Sequence, residues 1–296
     1  MQEVEAKTLM IPCAGEPWFG IRWTVNLYRG CCHGCIYCDS RSSCYQVHAF
    51  DTVRCKRDAL RLMEAELRAK RSRGIVGMGA MSDPYNPFER QARLTRGALE
   101  LLARHGFGAA VITKSDLVAR DAGLLAEIAR LQPALAGITI TAAQDRLSRL
   151  VEPGVCPTSA RFAALEKLRA AGVFAGVLLM PVLPFLEDDL ENILGIVRCA
   201  KDCGASFVYA MMGVTLRGNQ RAWFYDRLDE RFPGVSRRYE RTFGEATLCL
   251  SPRSRELSAA LGAACLEAGI PFQMPGIVKA LRAPYQLEQT TLFDGE

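Results

Sequence analysis

No apolar run in this sequence is long enough to cross a bilayer, and no basic-then-apolar leader opens it. The expectation is a soluble, unexported, cytoplasmic chain with no membrane role. Low-complexity tracts and internal repeats are also lacking, apart from the strand–helix alternation described below. Charge of one sign is not concentrated anywhere. Lys and Arg number 37 against 32 Asp and Glu, and the net +5 is spread along the chain. Such a balance permits an anionic substrate but does not demand nucleic acid, which calls for a basic patch with interleaved aromatics. The 296 residues, 49% of them hydrophobic, suit one large domain or one domain plus an extension.

Cysteine is what the chain has in excess. Twelve would build a disulfide framework in a small secreted protein; in a large chain without a leader they read as reduced thiols, several of them ligands. Cys31, Cys35 and Cys38 fall in C-x3-C-x2-C spacing beside Gly30 and Gly34, so three thiolates share one tight loop. A cubane iron–sulfur cluster normally takes four cysteines. Three close ligands leave one iron open, and an open metal position marks catalysis where closed coordination marks structure. The competing reading is a zinc knot completed by Cys32, His33 or Cys44. Structural zinc sites, however, pair C-x2-C units at a distance. An oxygen-sensitive cluster implies a reducing, anaerobic cytoplasm.

Apolar runs with strand character begin near Thr24, Ile75, Ala109, Gly137, Ala175 and Ser206. Helical periods separate them: Leu60, Met63 and Leu67; Leu94, Ala98, Leu101 and Leu102; Leu124, Leu125, Ile128 and Leu131; Phe162, Leu165 and Leu168; Leu190, Ile193, Leu194 and Val197. Six strand–helix repeats predict a parallel α/β fold, either a six-unit partial barrel or a doubly wound sheet. In both, chemistry sits beyond the C-terminal strand ends, where the polar punctuation falls. Beyond residue 214 the pattern changes. Arg217, Arg221, Trp223, Tyr225 and Tyr239 give way to an apolar run at 247–250 and a helical period through Leu257, Leu261 and Cys265. The reading is a lead-in over 1–22, a barrel over 23–213 and a C-terminal α+β extension over 214–296 that shapes the substrate pocket. Arg217, Arg221 and Tyr225 form either a solvated helix face or an anion clamp. Cys199 and Cys203 read as buried helix residues rather than ligands of a second cluster, and Cys249 as core rather than a spare hydrogen donor or auxiliary ligand.

The cysteine loop, with Tyr37 before its third cysteine, resembles the signature of the radical S-adenosylmethionine (SAM) superfamily. Further blocks resemble its spore photoproduct lyase-like branch, over roughly residues 20–185. They are Tyr28-Arg29-Gly30-Cys31, Ser82-Asp83-Pro84-Tyr85, Leu94-Thr95-Arg96, Thr113-Lys114-Ser115-Asp116-Leu117 with Arg120-Asp121, and Glu152-Pro153-Gly154 with Arg161. The resemblance implies a partial (βα)6 barrel and a [4Fe-4S] cluster on Cys31, Cys35 and Cys38, whose open iron takes the SAM amino and carboxylate groups. It implies reductive SAM cleavage to a 5′-deoxyadenosyl radical and hydrogen abstraction from substrate. Tyr37 then lies by the adenine, Ser82 near the amino group, Lys114 against the carboxylate, and Thr139 or Thr141 supplies a strand-four hydroxyl. A reductant of flavodoxin or ferredoxin type is implied as partner; a small molecule, a peptide or a nucleic acid all stay open as substrate.

Two departures from the lyase stand out. Ala80 occupies the place of its hydrogen-donating cysteine, and Asp39 that of the tyrosine after its third cluster cysteine. Lesion lyase is therefore the runner-up, followed by a non-catalytic iron–sulfur electron-transfer or nucleic-acid-binding module.

Overall fold

The computed structural model describes residues 1–13 and 18–285. Residues 14–17 of the lead-in and 286–296 of the extension lie outside the described residues. Six parallel strands form the centre: β1 (Ile21–Val25), β2 (Ile75–Met78), β3 (Gly108–Thr113), β4 (Ala134–Thr139), β5 (Phe174–Leu179) and β6 (Val208–Ala210). Each lies beside its sequence neighbour, and the segment Ile11–Pro12 adds a short antiparallel edge to β1. The order never reverses, as it must in a doubly wound sheet. The fold is a partial (βα)6 barrel.

Alternation along the strands makes two cores. Inward-facing Ile21, Ile75, Ala110, Leu135 and Leu178, with Phe207 just before β6, form the inner one. Small residues alternate with large ones there. A Cβ on Gly137 would lie 2.8 Å from Ile112 and 3.1 Å from Leu178, so glycine leaves room for both. Outward-facing Val76, Val111, Ile138 and Val177 meet the helices α1 (Ala59–Ala69), α2 (Leu94–His105), α3 (Ala122–Ile128), α4 (Thr158–Ala170) and α5 (Leu190–Asp202). Met63, Leu67, Ala98, Leu102, Leu165, Leu168, Ile193 and Val197 are the buried stripes that the 3.6-residue period requires.

Three expectations change in detail. The first and fourth strands begin at Ile21 and Ala134, each three residues before the expected Thr24 and Gly137, because the residues ahead of those points also pair with β2 and β3 respectively. Leu131 is 75% exposed, since α3 ends at Ile128 before another turn can carry it inward. Cys199 is exposed and Cys203 half-buried, because the buried stripe of α5 runs through Ile193, Ile196, Val197 and Ala200 instead.

Past the barrel, β7 (Gly213–Thr215) pairs antiparallel with β8 (Leu248–Leu250), and α6 (Gly218–Arg231) and α7 (Val235–Phe243) lie between them in sequence. Cys249 is fully buried opposite Val214, in a cluster with Phe224, Leu228 and Tyr239. Next, α8 (Ser254–Glu267) packs on α5 with Leu257, Leu261 and Cys265 buried. Then α9 (Met274–Arg282) inserts Ile277 and Leu281 into the inner core against Phe19 and Ile21. The extension thus contributes to both ends of the barrel. No helix among the described residues is long and apolar enough to cross a membrane.

Gly79, just after β2, has φ +107°, and a Cβ there would run into the Ile112 carbonyl oxygen. Gly172 has φ +82° with open space around it. Gly172→Ala is expected to cost about 1–2 kcal/mol, the left-handed backbone penalty alone. Gly79→Ala should cost roughly 3 kcal/mol or more, since a steric clash adds to the strain. Urea unfolding of the two variants measures the difference.

Candidate active site

The C-terminal strand ends open into a cavity of about 360 Å³, within the usual size range of small-molecule sites. Cys31, Cys35, Tyr37 and Cys38 line it from the loop after β1, Ser82 from the loop after β2, Lys114 from the end of β3 and Thr139 from the end of β4. Met180, Met211, Val214 and Thr215 add to the wall, as do His33, Ala80 and Asp83, so β7 faces the same space. Met212, next to Met211, is buried in the outer core. The alternation that would put Thr139 and Thr141 on one face holds only while the strand lasts, and β4 ends at Thr139. Thr141 lies outside the cavity lining and donates to Glu187 at 2.8 Å.

The cysteine loop is pinned through its backbone. Gly30 has φ +83°, and its missing Cβ leaves room for the carbonyls of Phe50 and Thr52, while Cys31 N–H donates to Phe50 O at 2.8 Å. On the other side Ile36 N–H donates to Val151 O at 3.0 Å and Gly154 N–H to His33 O at 2.8 Å. A Cβ on Gly154 would stand 2.7 Å from His33 O, so only glycine lets the Glu152-Pro153-Gly154 turn lie this close. Beneath it, Tyr37 O–H donates to Glu152 Oε1, and Arg161 pairs with Glu152 Oε2 at 2.5 Å. The same guanidinium donates to Thr139 O and to Ser148 Oγ, both at 2.8 Å. From the extension, Gln220 donates to Tyr37 O at 3.1 Å.

Asp83 acts as a strut between loops. It accepts from Thr113 Oγ1 at 2.6 Å, from Lys114 N–H at 2.8 Å and from Tyr85 N–H at 2.8 Å, and it faces His33 Nδ1 at 3.4 Å. The remaining motif blocks meet around Glu89 and Asp121. Glu89 accepts from Tyr28 O–H, Thr95 N–H and Arg120, and Asp121 from Tyr85, Arg96 and Arg120. Most of the motif blocks outside the cavity therefore hold loops in place. Glu152 and Arg161 were visible in the sequence only as part of a resemblance; a Pro-Gly turn just before a helix start was their local signal.

Electrostatics follow from depth. Burial pushes the Cys35 thiol well above its ordinary pKa and raises that of Cys38. Burial works against the Lys114 ammonium, but Cys35, Glu152, Asp83 and Cys38 together outweigh it and hold its pKa above the usual lysine value. Its Nζ lies 5.7 Å from the centre of the Tyr37 ring. At the mouth, Asp39 pairs with Arg217 at 3.2 Å and accepts from Tyr45 O–H at 2.7 Å. Arg221 donates to the carbonyls of Gly244 and Ala246, both at 2.8 Å, so its fork closes the extension rather than facing a ligand. Glu187, fully buried, has its carboxyl pushed up to about 8 by burial, against the hydrogen bonds from Leu183 N–H and Thr141.

The family model for the radical SAM superfamily matches residues 25–197. Uncharacterised proteins of Mycobacterium bovis and Mycobacterium tuberculosis are each 33% identical over 265 residues, covering 86% of this chain and 76% of theirs. An uncharacterised protein of Methanocaldococcus jannaschii is 29% identical over 178 residues, 60% of this chain and 66% of its own. Among solved structures, spore photoproduct lyase complexed with dinucleoside spore photoproduct superposes with a TM-score of 0.64 at 15% identity, covering 90% of this chain and 78% of the lyase. The radical S-adenosylmethionine methyltransferase TsrM of Kitasatospora setae gives 0.54 at 13% identity, covering 81% of this chain and 51% of TsrM. At these identities the structural likeness is one of fold.

Two stability experiments test the polar interior. Arg161→Met leaves the Glu152 carboxylate buried and unpaired, at an expected cost of about 3–5 kcal/mol. Adding Glu152→Gln should recover part of that loss, read as a coupling energy in a denaturation cycle. Glu187 titrates higher folded than unfolded. Its stabilising contribution is therefore complete below the ordinary carboxyl value of 4.5 and lost as the pH rises toward about 8. Glu187→Gln should flatten the fall in melting temperature across that window.

Proposed function

Because the chain belongs to the radical SAM superfamily, we propose that its cavity holds one [4Fe-4S] cluster and SAM, and that it is an enzyme taking a hydrogen atom from a carbon of its substrate. The observation that carries this reading is convergence. Cys31, Cys35, Cys38, Tyr37, Ser82, Lys114 and Thr139 come from four separate chain segments and line one cavity.

The donor set fits such a cluster. Three thiols surround one space at depths where a thiolate needs a compensating cation. Of the fourth ligands that a zinc knot could draw on, Cys32 packs toward the outer core and Cys44 is exposed, while His33 lines the cavity with its Nδ1 3.4 Å from Asp83. When bound, the cluster and SAM supply a 5′-deoxyadenosyl radical, and the chain's own residues position and shield what reacts. Lys114 would meet the SAM carboxylate with a compact positive charge. Ser82 and Thr139 would offer hydroxyls to its polar groups, and the Tyr37 ring a face to its adenine, held by the bond from its own hydroxyl to Glu152. Met180, Met211 and Val214 would keep water from the radical. A protein reductant of flavodoxin or ferredoxin type and a cytoplasmic setting belong to the same reading.

Lesion repair is the second reading, supported by the fold shared with spore photoproduct lyase. Against it, the cavity wall at position 80 carries only the Ala80 methyl, with no thiol to return a hydrogen. Anaerobically reconstituted protein is expected to hold about four irons per chain and, with dithionite, to release 5′-deoxyadenosine from SAM. Cys35→Ala should lose both properties. Lys114→Met should keep its iron and bind SAM about 10–100-fold more weakly, the worth of one charge-assisted contact. Iron-loaded protein that leaves SAM intact would favour the electron-transfer module, and turnover of a thymine-dimer-type lesion would overturn the argument from Ala80.

A further inference from the structure

SAM and a substrate would share the mouth of the main cavity, so an electron donor needs a second approach to the iron–sulfur site. The fold provides one. A separate depression of about 190 Å³ lies on the outer side of the cysteine loop, lined by Tyr85, Pro87, Arg90, Asp116, Gly154 and Cys156 among others. His33 lines both this depression and the main cavity, and no other lining residue is common to the two. On its inner side the imidazole faces Asp83 at 3.4 Å and lines the same cavity as Cys31. His33 is thus the side chain that stands between the depression and the space lined by the cysteine loop. Gly154 seats closely against its carbonyl oxygen.

The rim has the makings of a transient docking face. Pro87 and Arg90 of its lining are exposed, as are Phe88 and Arg93 in the same short segment, and Phe88, at 45%, is one of the few large apolar side chains left in water. Arg96 and Arg120 nearby are tied to Asp121, and Arg120 also to Glu89. Arg90 and Arg93 make no ion pair among the described residues, which leaves their charge for a partner. Of the residues lining the depression, Asp116 alone is acidic. One apolar side chain flanked by uncommitted arginines suits a small, weak, electrostatically steered contact of the kind electron carriers use.

We infer that this depression is the docking site of an acidic one-electron carrier protein, whose electron passes His33 to the cysteine loop. The inference rests on the proposed function and adds to it a surface and a partner chemistry. The carrier is oxidised by one electron and the iron–sulfur site is reduced by one; no proton or group is exchanged.

The test uses the full chain and one acidic carrier, a flavodoxin. Arg90→Glu/Arg93→Glu is compared with Arg237→Glu/Arg241→Glu, two exposed arginines on α7 of the extension. Binding is titrated at low salt on the metal-free and the reconstituted protein. The first pair should weaken binding at least about tenfold and flatten its salt dependence, as loss of rim charge does; the second pair should leave it unchanged. With the reconstituted protein, 5′-deoxyadenosine formation driven by reduced flavodoxin should fall with the first pair. The rate driven by dithionite should stay at the wild-type level, which also reports that the variant is folded. Equal binding by both variants, or loss confined to the α7 pair, overturns the docking site. Failure of the wild-type protein with dithionite would sink the proposed function instead, and the titration on metal-free protein would still decide the docking face.

Discussion

Arg161, with no exposure to solvent, holds the Glu152 carboxylate, the Thr139 carbonyl at the end of β4 and the Ser148 hydroxyl at once. Glu152 in turn accepts from Tyr37, between the second and third loop cysteines. One guanidinium therefore fixes the distance between the cysteine loop and the far side of the cavity. A buried ion pair of this sort is weak evidence for net stability. Its worth here is positional, because it joins segments more than a hundred residues apart with directed bonds that an apolar contact could not supply. Arginine suits such a position because its planar fork reaches several acceptors at fixed angles.

The polar residues divide their work. Some, such as Ser82, Lys114 and Thr139, line the cavity, while Glu89 and Asp121 lie outside its lining and bond to the arginines and tyrosines around them. Asp83 ties the loop after β2 to the end of β3 and faces the cysteine loop at His33. Glu89 and Asp121, both buried, gather two partly exposed arginines and two buried tyrosines into one knot. These groups take their partners from the protein itself. Lys114 keeps its backbone locked to Asp83 while its ammonium faces the cavity, so its position is set by the scaffold.

Periodicity carried most of the fold. Alternating inward and outward residues on six strands, and apolar stripes on the helices between them, are local patterns that survive packing, and all six strands lie where apolar runs stood. What periodicity misses is where an element stops. Leu131 fits the helical period and is exposed because α3 ends first, and Thr141 matches Thr139 in parity but not in surroundings because β4 ends between them. The three cysteines were legible from spacing, whereas the surface behind His33 was not. That surface arises from the docking of Gly154 on the loop, a contact between residues far apart in sequence that leaves no local trace. Barrel and doubly wound sheet were likewise indistinguishable by period, since the choice lies in strand order, which only pairing reveals.

Ile277 and Leu281 of α9 sit inside the barrel beside Phe19 and Ile21, so the last described helix closes a core begun by the first strand. During synthesis the strands emerge in order and each can pair with the one before it. The interior they enclose needs α9 as well: without Ile277 and Leu281 the strands alone leave that end of the inner core unfilled.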